Sequence, residues 1–391
     1  MSKSDKLINE LCPDGVEYVN IGSIVNYEQP TNYIVTSTDY NDNFDIPVLT
    51  AGQSFILGYT NEIENIYNAS IESPVIIFDD FTAAFKWVDF PFKVKSSAMK
   101  ILTSNIKKTT LRYIFHMMSS ICYSSDEHKR LWISRYSQLQ IPLPPLPVQE
   151  EIVRILDNFK ELTAELTAEL TARKKQYKYY RDKLLTFKEG EAEWKTVEEI
   201  FNLKNGYTPS KANKEYWENG TVPWFRMEDL RTNGNILNDA VQHIHTSGVR
   251  GKLFPANSII MATTATIGEH ALITVDYMSN QQFTNFALRD DICELIDTKF
   301  AYYYFFILDE KAKQAVNKSS FPSVQMEQLR KWDFPIPPLK EQERIVAILD
   351  KFDTLTTSIS KGLPAEIKAR QQQYEYYCDK LLTFKNINVE E

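Results

Sequence analysis

Apolar residues recur at a helical spacing through the middle of the chain. Between residues 148 and 187 they are about 3.5 positions apart on average, the spacing of the seam in a left-handed coiled coil. They are Val148, Ile152, Ile155, Phe159, Leu162, Leu166, Leu170, Tyr177, Tyr180, Leu184 and Phe187. A proline-rich segment at residues 141–147 ends the preceding strand-like run and favours a helix start. The pattern predicts one long helix that needs an antiparallel partner.

A sequence repeat identifies that partner. Residues 146–159 and 339–352 are identical at nine of fourteen positions, and residues 172–188 and 369–385 at thirteen of seventeen. The offset between the copies grows from 193 to 197, so the second helical segment is four residues longer than the first. The two segments are therefore predicted to pair with each other.

The interiors of the two helical segments differ. Residues 163–166 and 167–170 both read Thr-Ala-Glu-Leu, which favours helix and is interpreted as a spacer, so the first helix should run unbroken. In the second segment Gly362 and Pro364 should break or kink the helix, with Pro364 as the first residue of a new helix.

Two dissimilar regions flank these helices. Both have the mixed pattern of α/β domains, with strand-like runs at residues 74–78 and 258–262. Residues 6–24 loosely repeat residues 183–200, so the repeat is circular and the ends of the chain should meet. We predict a pseudo-two-fold fold of two α/β (α+β) domains joined by two long antiparallel helices in a coiled coil, with domains at 1–146 and 189–339 and helical spacers at 147–188 and 340–391.

Composition is consistent with such a folded chain. The 391 residues suit two units of about 150 residues each, and 43% apolar and 13% aromatic residues can fill their cores. No uncharged run approaches the ~20 residues of a membrane span, so a cytoplasmic protein is expected. The cysteines are far apart, without the close pair of a zinc or redox site, and are expected to be reduced: Cys12, Cys122, Cys293 and Cys378.

Charge gives a mixed signal about nucleic acid. A net charge of -8 argues against phosphate binding. One stretch is basic, however, and is opposed only by Asp89: Lys86, Lys93, Lys95, Lys100, Lys107, Lys108 and Arg112. This stretch is either a solvated face or a DNA-binding face. If the chain binds DNA, partner subunits must supply much of the phosphate clamp.

Motifs in the second domain resemble a known family. They lie at residues 206–210, 220–224 with Asp229, 258–262, 266–268 and 279–282. Together with helical repeats ending in Tyr-Tyr-x-Asp-Lys-Leu-Leu-Thr-Phe, they resemble the specificity subunits of type I restriction-modification systems over essentially the whole chain. The first domain departs from the pattern, because residues 79–82 replace the glycine-containing loop. The two domains are therefore expected to read different DNA half-sites.

The resemblance implies a DNA-reading adaptor. Each domain would be a target recognition domain for one half of a bipartite double-stranded DNA site. The helices would dock two methyltransferase subunits, and two restriction (motor-nuclease) subunits would join them. S-adenosylmethionine, ATP and Mg²⁺ would be used by those partners, with no cofactor bound by this chain. Two alternatives stay open: a specificity subunit serving a fused methylase-nuclease, and a coiled-coil scaffold without DNA binding.

A search for catalytic motifs favours the adaptor over an enzyme. The Pro-Pro pairs at residues 144–145 and 337–338 lack the preceding Asp or Asn of an adenine methyltransferase, and no glycine-rich phosphate loop appears. His243 and His245 lack a third ligand, so they are interpreted as ordinary polar side chains and no metal is expected.

Base-reading residues are chosen by type and by position in loops. Such residues are Arg, Lys, Asn, Gln, Ser and Thr. Trp87 and Trp224 are expected to anchor the core or loops. The predicted DNA contacts are Lys86, Lys93 and Ser97 in the first domain and Lys211, Arg226, Thr264, Thr266 and Gln281 in the second.

Overall fold

The chain forms two compact units in a computed structural model. Unit 1 comprises Met1–Glu165 and Ile367–Glu391, and unit 2 comprises Leu166–Glu366. The structure describes residues 3–51, 54–105, 108–121, 123, 130–316, 322–358 and 361–388, so Cys122 and Lys107 lie outside the described residues. Cys12 and Cys378 are buried thiols, whereas Cys293 is exposed.

The helices and strands follow in chain order. The helices are α1 (Lys3–Leu11), α2 (Ile21–Ile24), α3 (Leu111–Ser120), α4 (Leu146–Leu184), α5 (Val197–Ile200), α6 (Met227–Asn233), α7 (Thr298–Gln314), α8 (Met326–Arg330), α9 (Leu339–Thr357) and α10 (Leu363–Leu382). The strands of unit 1 are β1 (Tyr18–Asn20), β2 (Val25–Glu28), β3 (Ile46–Leu49), β4 (Ile56–Thr60), β5 (Val75–Asp79), β6 (Phe85–Val88), β7 (Lys93–Val94), β8 (Met99–Ser104) and β9 (Gln140–Pro142). The strands of unit 2 are β10 (Glu193–Thr196), β11 (Phe201–Asn205), β12 (Val222–Phe225), β13 (Ile236–Leu237), β14 (His243–Ile244), β15 (Ser258–Ala262), β16 (His270–Ile273), β17 (Met278–Ser279), β18 (Phe283–Leu288) and β19 (Asp333–Ile336).

The two units share a sheet topology, except that β13 adds a fifth strand to the larger sheet of unit 2. A larger sheet has the order β2-β8-β5-β6 in unit 1 and β11-β18-β15-β16-β13 in unit 2. A smaller sheet has the order β4-β3-β7 in unit 1 and β14-β12-β17 in unit 2, and its central strand has one antiparallel and one parallel neighbour in each case. The α/β assignment is confirmed, and the repeat extends into domains whose sequences differ.

The helices follow the predicted pattern with one shift. Helix α4 runs unbroken over 39 residues and contains both Thr-Ala-Glu-Leu copies. The second segment is interrupted between α9 and α10, as predicted, but the new helix begins at Leu363 and not at Pro364. Gly362 is required at the break, because a Cβ there would lie 2.4 Å from the carbonyl oxygen of Thr354.

Repeat-equivalent aromatic residues join the helices in each unit. In unit 1, Phe159 of α4 stacks on Tyr377 of α10 with ring centroids 5.1 Å apart. In unit 2, Phe352 of α9 stacks on Tyr180 of α4 at 5.7 Å. The predicted pairing of the helical segments is therefore present in both units.

The two ends of the chain meet within unit 1. The backbone N–H of Val16 donates to the carbonyl of Lys385 at 2.9 Å, and Asp5 lies 3.1 Å from Lys380. Gly15 has φ +108°, and a Cβ on it would lie 2.3 Å from the same Lys385 carbonyl oxygen, so only glycine fits this contact. The circular repeat is confirmed.

Among the described residues, no helix combines the length and apolar character of a membrane span.

Candidate nucleic-acid interface

A polar cleft of about 720 Å³ opens in unit 2 beside the end of β12. Three predicted base contacts, Lys211, Arg226 and Gln281, line it together. The remaining lining residues were not predicted as contacts: Thr208, Lys214, Trp217, Glu218, Trp224, Gln242, Asn280 and Gln282. The cleft therefore gathers residues from four separate segments of the domain, at 208–218, 224–226, 242 and 280–282.

A buried carboxylate shapes the Arg226 side of the cleft. Asp229, in the first turn of α6, is fully buried and accepts the backbone N–H groups of Arg226 and Val241, both at 2.6 Å. The Arg226 guanidinium lies 5.6 Å from the Trp224 ring centroid and 2.8 Å from Glu228. Its Nε is buried and has no partner within the described part of the chain. Arg226 is thus held at the cleft with unused donor capacity.

Two tryptophans form one wall of the cleft. Trp224 is 4% exposed and its Nε1 donates to the carbonyl of Tyr207 at 3.0 Å. Trp217 packs edge-on against it with ring centroids 5.0 Å apart. The expectation that Trp224 anchors a loop is confirmed.

The turn between β17 and β18 also lines the cleft. The backbone N–H of Asn280 donates to the carbonyl of Phe225 at 3.0 Å, which ties the turn to β12. Asn280 also bonds the backbone and the side chain of Gln282, and Thr208 bonds the Gln281 side chain. An Asn side chain that accepts the backbone N–H of the residue two positions later is typical of an Asx turn. That signal within residues 279–282 could have identified Asn280 and Gln282 from the sequence.

Two predicted contacts lie elsewhere in unit 2. Thr264 and Thr266 are half-buried in the loop after β15, and neither belongs to the cleft lining. Thr264 forms a β-bridge with Ser323. Ala265 in the same loop has φ +62° and Gly268 has φ +78°, so the loop has a specific backbone shape.

Strand register identifies the matching loop of unit 1. Leu49 pairs with Val94 as Phe225 pairs with Ser279, and the backbone N–H of Lys95 donates to Leu49 as that of Asn280 donates to Phe225. Lys95 is therefore equivalent to Asn280. The turn of unit 1 is one residue longer, because Asp79 pairs with Met99 as Ala262 pairs with Phe283, and the backbone N–H of Asp80 bonds the carbonyl of Ala98 as that of Thr263 bonds Gln282. Ala98 is therefore the equivalent of Gln282, and Ser97 lies in the longer turn. Lys95 is exposed, whereas Ser97 is half-buried and its carbonyl accepts from Gln29 at 2.6 Å.

The prediction for Lys93 needs correction. Lys93 is 2% exposed, its Nζ lies 2.9 Å from Glu62 and it donates to the carbonyl of Glu64 at 2.8 Å. Burial opposes ionisation of Glu62, but hydrogen bonds from Ser37, Lys93 and Thr36 lower its pKa to about 2. Lys93 is committed to this interior pair, so we remove it from the candidate interface. Lys95, two residues further on, takes its place.

The basic stretch of unit 1 divides into paired and exposed charges. Lys100 is buried 3.4 Å from Asp80, and Arg112 bonds Asp157 at 2.9 Å. Lys86 on β6 and Lys108 are exposed, like Lys95. Among the described residues of the stretch, three cations are therefore paired or buried and three are exposed at the surface.

The two histidines considered as ligands are satisfied locally. His243 lies 2.7 Å from Asp239, and the ring of His245 bonds Ser247 at 2.8 Å. In the described part of the chain, no group of three or more His, Cys, Asp or Glu side chains has an arrangement that would hold a metal ion.

The duplicated fold and its family model identify the class of protein. The model of the type I restriction modification DNA specificity domain matches residues 13–173 and 190–369. The chain therefore belongs to the family of type I restriction-modification specificity subunits, and the resemblance inferred from its motifs is confirmed.

Individual relatives extend this result to the full length. The chain is 47% identical over 406 residues to the type I restriction enzyme EcoR124I/EcoR124II specificity subunit of Escherichia coli, which covers 98% of this chain and 97% of the relative. It is 49% identical over 208 residues to the EcoprrI specificity subunit of Escherichia coli, covering 51% and 52%. The solved S subunit of a type I system from M. genitalium shares the fold with a TM-score of 0.60 at 15% identity, covering 95% of this chain and 97% of that one.

Proposed function

We propose that this chain reads a bipartite double-stranded DNA site with two target recognition domains, one in each unit. The observation that carries the proposal is that equivalent loops on a common topology have different side chains. Lys95 and Ala98 in unit 1 stand where Asn280 and Gln282 stand in unit 2, and the turn of unit 1 is one residue longer. Base-edge readout depends on such side chains, so the two domains would read different half-sites.

The helices are the proposed docking surface for partners. Tyr179 on α4 and Tyr376 on α10 are repeat equivalents, and each is 61% exposed. Exposed aromatic residues are frequent anchors of protein interfaces, and two equivalent anchors suit two copies of one partner. Two methyltransferase subunits, with two restriction subunits added, fit this duplication. An alternative assembly with a fused methylase-nuclease would use the same surface.

The chain itself would be a non-catalytic cytoplasmic subunit. Its net charge is -8, and the internal pairing of Lys93, Lys100 and Arg112 takes three cations of the basic stretch away from phosphate binding. The partners would supply most of the phosphate clamp, and they would use S-adenosylmethionine, ATP and Mg²⁺. The isolated chain should accordingly bind its site weakly, and the methyltransferase should raise affinity and specificity together.

A domain exchange tests the proposal. Residues 1–146 are replaced by the matching domain of a relative, and modified bases are sequenced in a host that also carries the methyltransferase. One half-site should change and the other should persist. A change in both half-sites, or tight site-specific binding by the chain without its partner, would contradict the proposal.

A further inference from the structure

The hydrogen bonds of one turn fix the orientation of the Gln282 side chain. The backbone N–H of Gln282 can only donate, and it bonds the Asn280 side chain at 3.0 Å, so the atom it meets is the oxygen Oδ1. The other end of the Asn280 amide is therefore the NH₂ group. That group bonds the Gln282 side chain at 3.1 Å, so the atom of Gln282 that faces it is the oxygen Oε1.

The turn that sets this orientation is held in place. Asn280 is 9% exposed and is tied to Phe225 of β12 through its backbone N–H. The carbonyl of Asn280 accepts from Phe283 at 3.2 Å, which closes the turn. Rotating the Gln282 amide by 180° would bring two NH₂ groups face to face. Gln282 therefore presents Nε2, with its two N–H donors, to the cleft.

The charged side chains of the cleft are mostly hydrogen-bond donors. Lys211, Lys214 and Arg226 carry N–H donors and cannot accept. Glu218 is the carboxylate in the lining, and Gln281 directs its oxygen to the Thr208 hydroxyl. A ligand of this cleft is therefore one that offers hydrogen-bond acceptors.

We propose that Gln282 is a base-reading residue of unit 2 and that the half-site read there contains a guanine. Guanine displays two neighbouring acceptors, N7 and O6, in the major groove. A two-bond contact to adenine would require Oε1 as well as Nε2 at the base edge, whereas the hydrogen bond from the Asn280 NH₂ group orients Oε1 toward the turn. This inference rests on the proposed function of the unit and adds the base that its cleft selects.

The test uses the full chain with its methyltransferase, without S-adenosylmethionine, to select duplexes from a randomised DNA library. The native chain should enrich a guanine in one half-site. Gln282→Met should bind that site about tenfold more weakly and relax the same position, because a base-edge hydrogen bond is lost. Gln282→Glu should favour cytosine there, because a carboxylate accepts from the cytosine amino group.

A second variant tests the orientation without altering the reading residue. Asn280→Asp keeps the acceptor for the Gln282 backbone but removes the NH₂ group. Gln282 should then rotate and turn Oε1 to the cleft, and the preference should shift from guanine toward a base that carries a major-groove amino group, adenine or cytosine. Gln328→Glu, an exposed glutamine of α8 that belongs neither to the cleft lining nor to the long helices, is the matched control and should change neither half-site.

The half-site of unit 1 separates the possible failures. If it is selected normally while Gln282→Met weakens all sequences equally, Gln282 contacts a phosphate and the inference is wrong. An unchanged preference in the Gln282 or Asn280 variants, or a second half-site of A·T pairs alone, would also overturn it. If neither half-site is selected by the native complex, the proposed function itself fails.

Discussion

Asp157 on α4 accepts hydrogen bonds from Arg112 on α3 through both of its carboxylate oxygens, at 2.9 and 3.0 Å. His116, one turn further along α3, lies 2.8 Å from the same carboxylate. Unit 2 repeats the arrangement, with Asp350 bonding Lys299 at 2.6 Å and Tyr303 at 2.7 Å. The domain is thereby fixed to its helix at the same place in each unit, although the bonded side chains differ.

Replacing Asp157 should loosen the attachment of α3. Burial opposes ionisation of Asp157, but His116 and Arg112 lower its pKa to about 2, so the carboxylate is charged near neutrality. Asp157→Asn should lower the free energy of unfolding by about 1–2 kcal/mol, measured by urea denaturation, because charge-assisted hydrogen bonds are lost. Asp379→Asn, at an exposed position, should have little effect. Equal losses in the two variants would contradict this role.

A second pair of junction residues differs in charge between the units. Lys160 in unit 1 is the repeat equivalent of Asp353 in unit 2, and Cys378 is the equivalent of Arg181. Lys160 lies 5.4 Å from the Tyr374 ring centroid, and Arg181 lies 5.8 Å from that of the equivalent Tyr177. Each unit therefore has one cation near this tyrosine. Both cations lie on α4, but Lys160 approaches Tyr374 of α10 from the neighbouring helix, whereas Arg181 lies on the same helix as Tyr177.

Moving the unit 2 cation into unit 1 should be destabilising. Cys378→Arg places a guanidinium at a buried position near Lys160 and should lower the free energy of unfolding by about 3 kcal/mol. Adding Lys160→Asp should recover part of that loss. Cys378→Met controls for side-chain volume and should cost less. If Lys160→Asp recovers none of the lost stability, or if Cys378→Arg and Cys378→Met lower the free energy of unfolding equally, charge is unimportant at this position.

Two neighbouring lysines should have opposite effects. Lys93→Met removes the partner of the mostly buried Glu62 and should lower the free energy of unfolding by about 1–3 kcal/mol. Lys95→Met should leave stability unchanged and weaken DNA binding by the complex with methyltransferase. The salt dependence of DNA binding should fall by about one released counterion if Lys95 contacts a phosphate. The checks are thermal unfolding and binding at several salt concentrations, and a reversal of the two effects would refute the assignment.

The ion pair of Glu62 with Lys93 should also make the stability of the fold depend on pH in the acidic range. Because the folded-state pKa of Glu62 is lowered to about 2 from an ordinary value of 4.5, its ionised form stabilises the fold above that ordinary value. The contribution is lost as pH falls through the folded-state value. The stability difference between the native chain and Glu62→Gln should be largest above pH 4.5 and should shrink toward pH 2. A pH-independent difference would exclude the linkage.

Inserting a third Thr-Ala-Glu-Leu after Leu170 should change the spacing of the DNA half-sites. Four residues lengthen the continuous helix α4 by about 6 Å and rotate the part of the chain that follows by about 40° around the helix axis. A base pair adds about 3.4 Å, but the second helical segment is unchanged, so we expect one added base pair more often than two. Sequencing of modified bases gives the answer. An unchanged spacer or altered half-sites would exclude α4 as a spacing element.

The sequence predicts the helices well because their information is local. The repeat of apolar positions is sufficient to place α4 and to identify α9 and α10 as its partner segments. The cleft is different, because its side chains depend on strands that are distant in sequence. Lys93 and Lys95 look alike in a basic stretch, and only the pairing of β7 with β3 shows that Lys93 is interior. Gln282 was overlooked for a similar reason, since its orientation depends on Asn280 and Phe225.

The closure of the chain ends has a consequence for the order of folding during synthesis. The hydrophobic core of unit 1 contains Leu381 and Leu382 together with Ile152 and Leu156. The core of unit 1 therefore cannot be completed until α10 has been synthesised. Unit 2 lies wholly within the intervening chain and can finish earlier. A chain cut short before α10 would expose apolar surface in unit 1, the kind of surface that chaperones and proteases recognise.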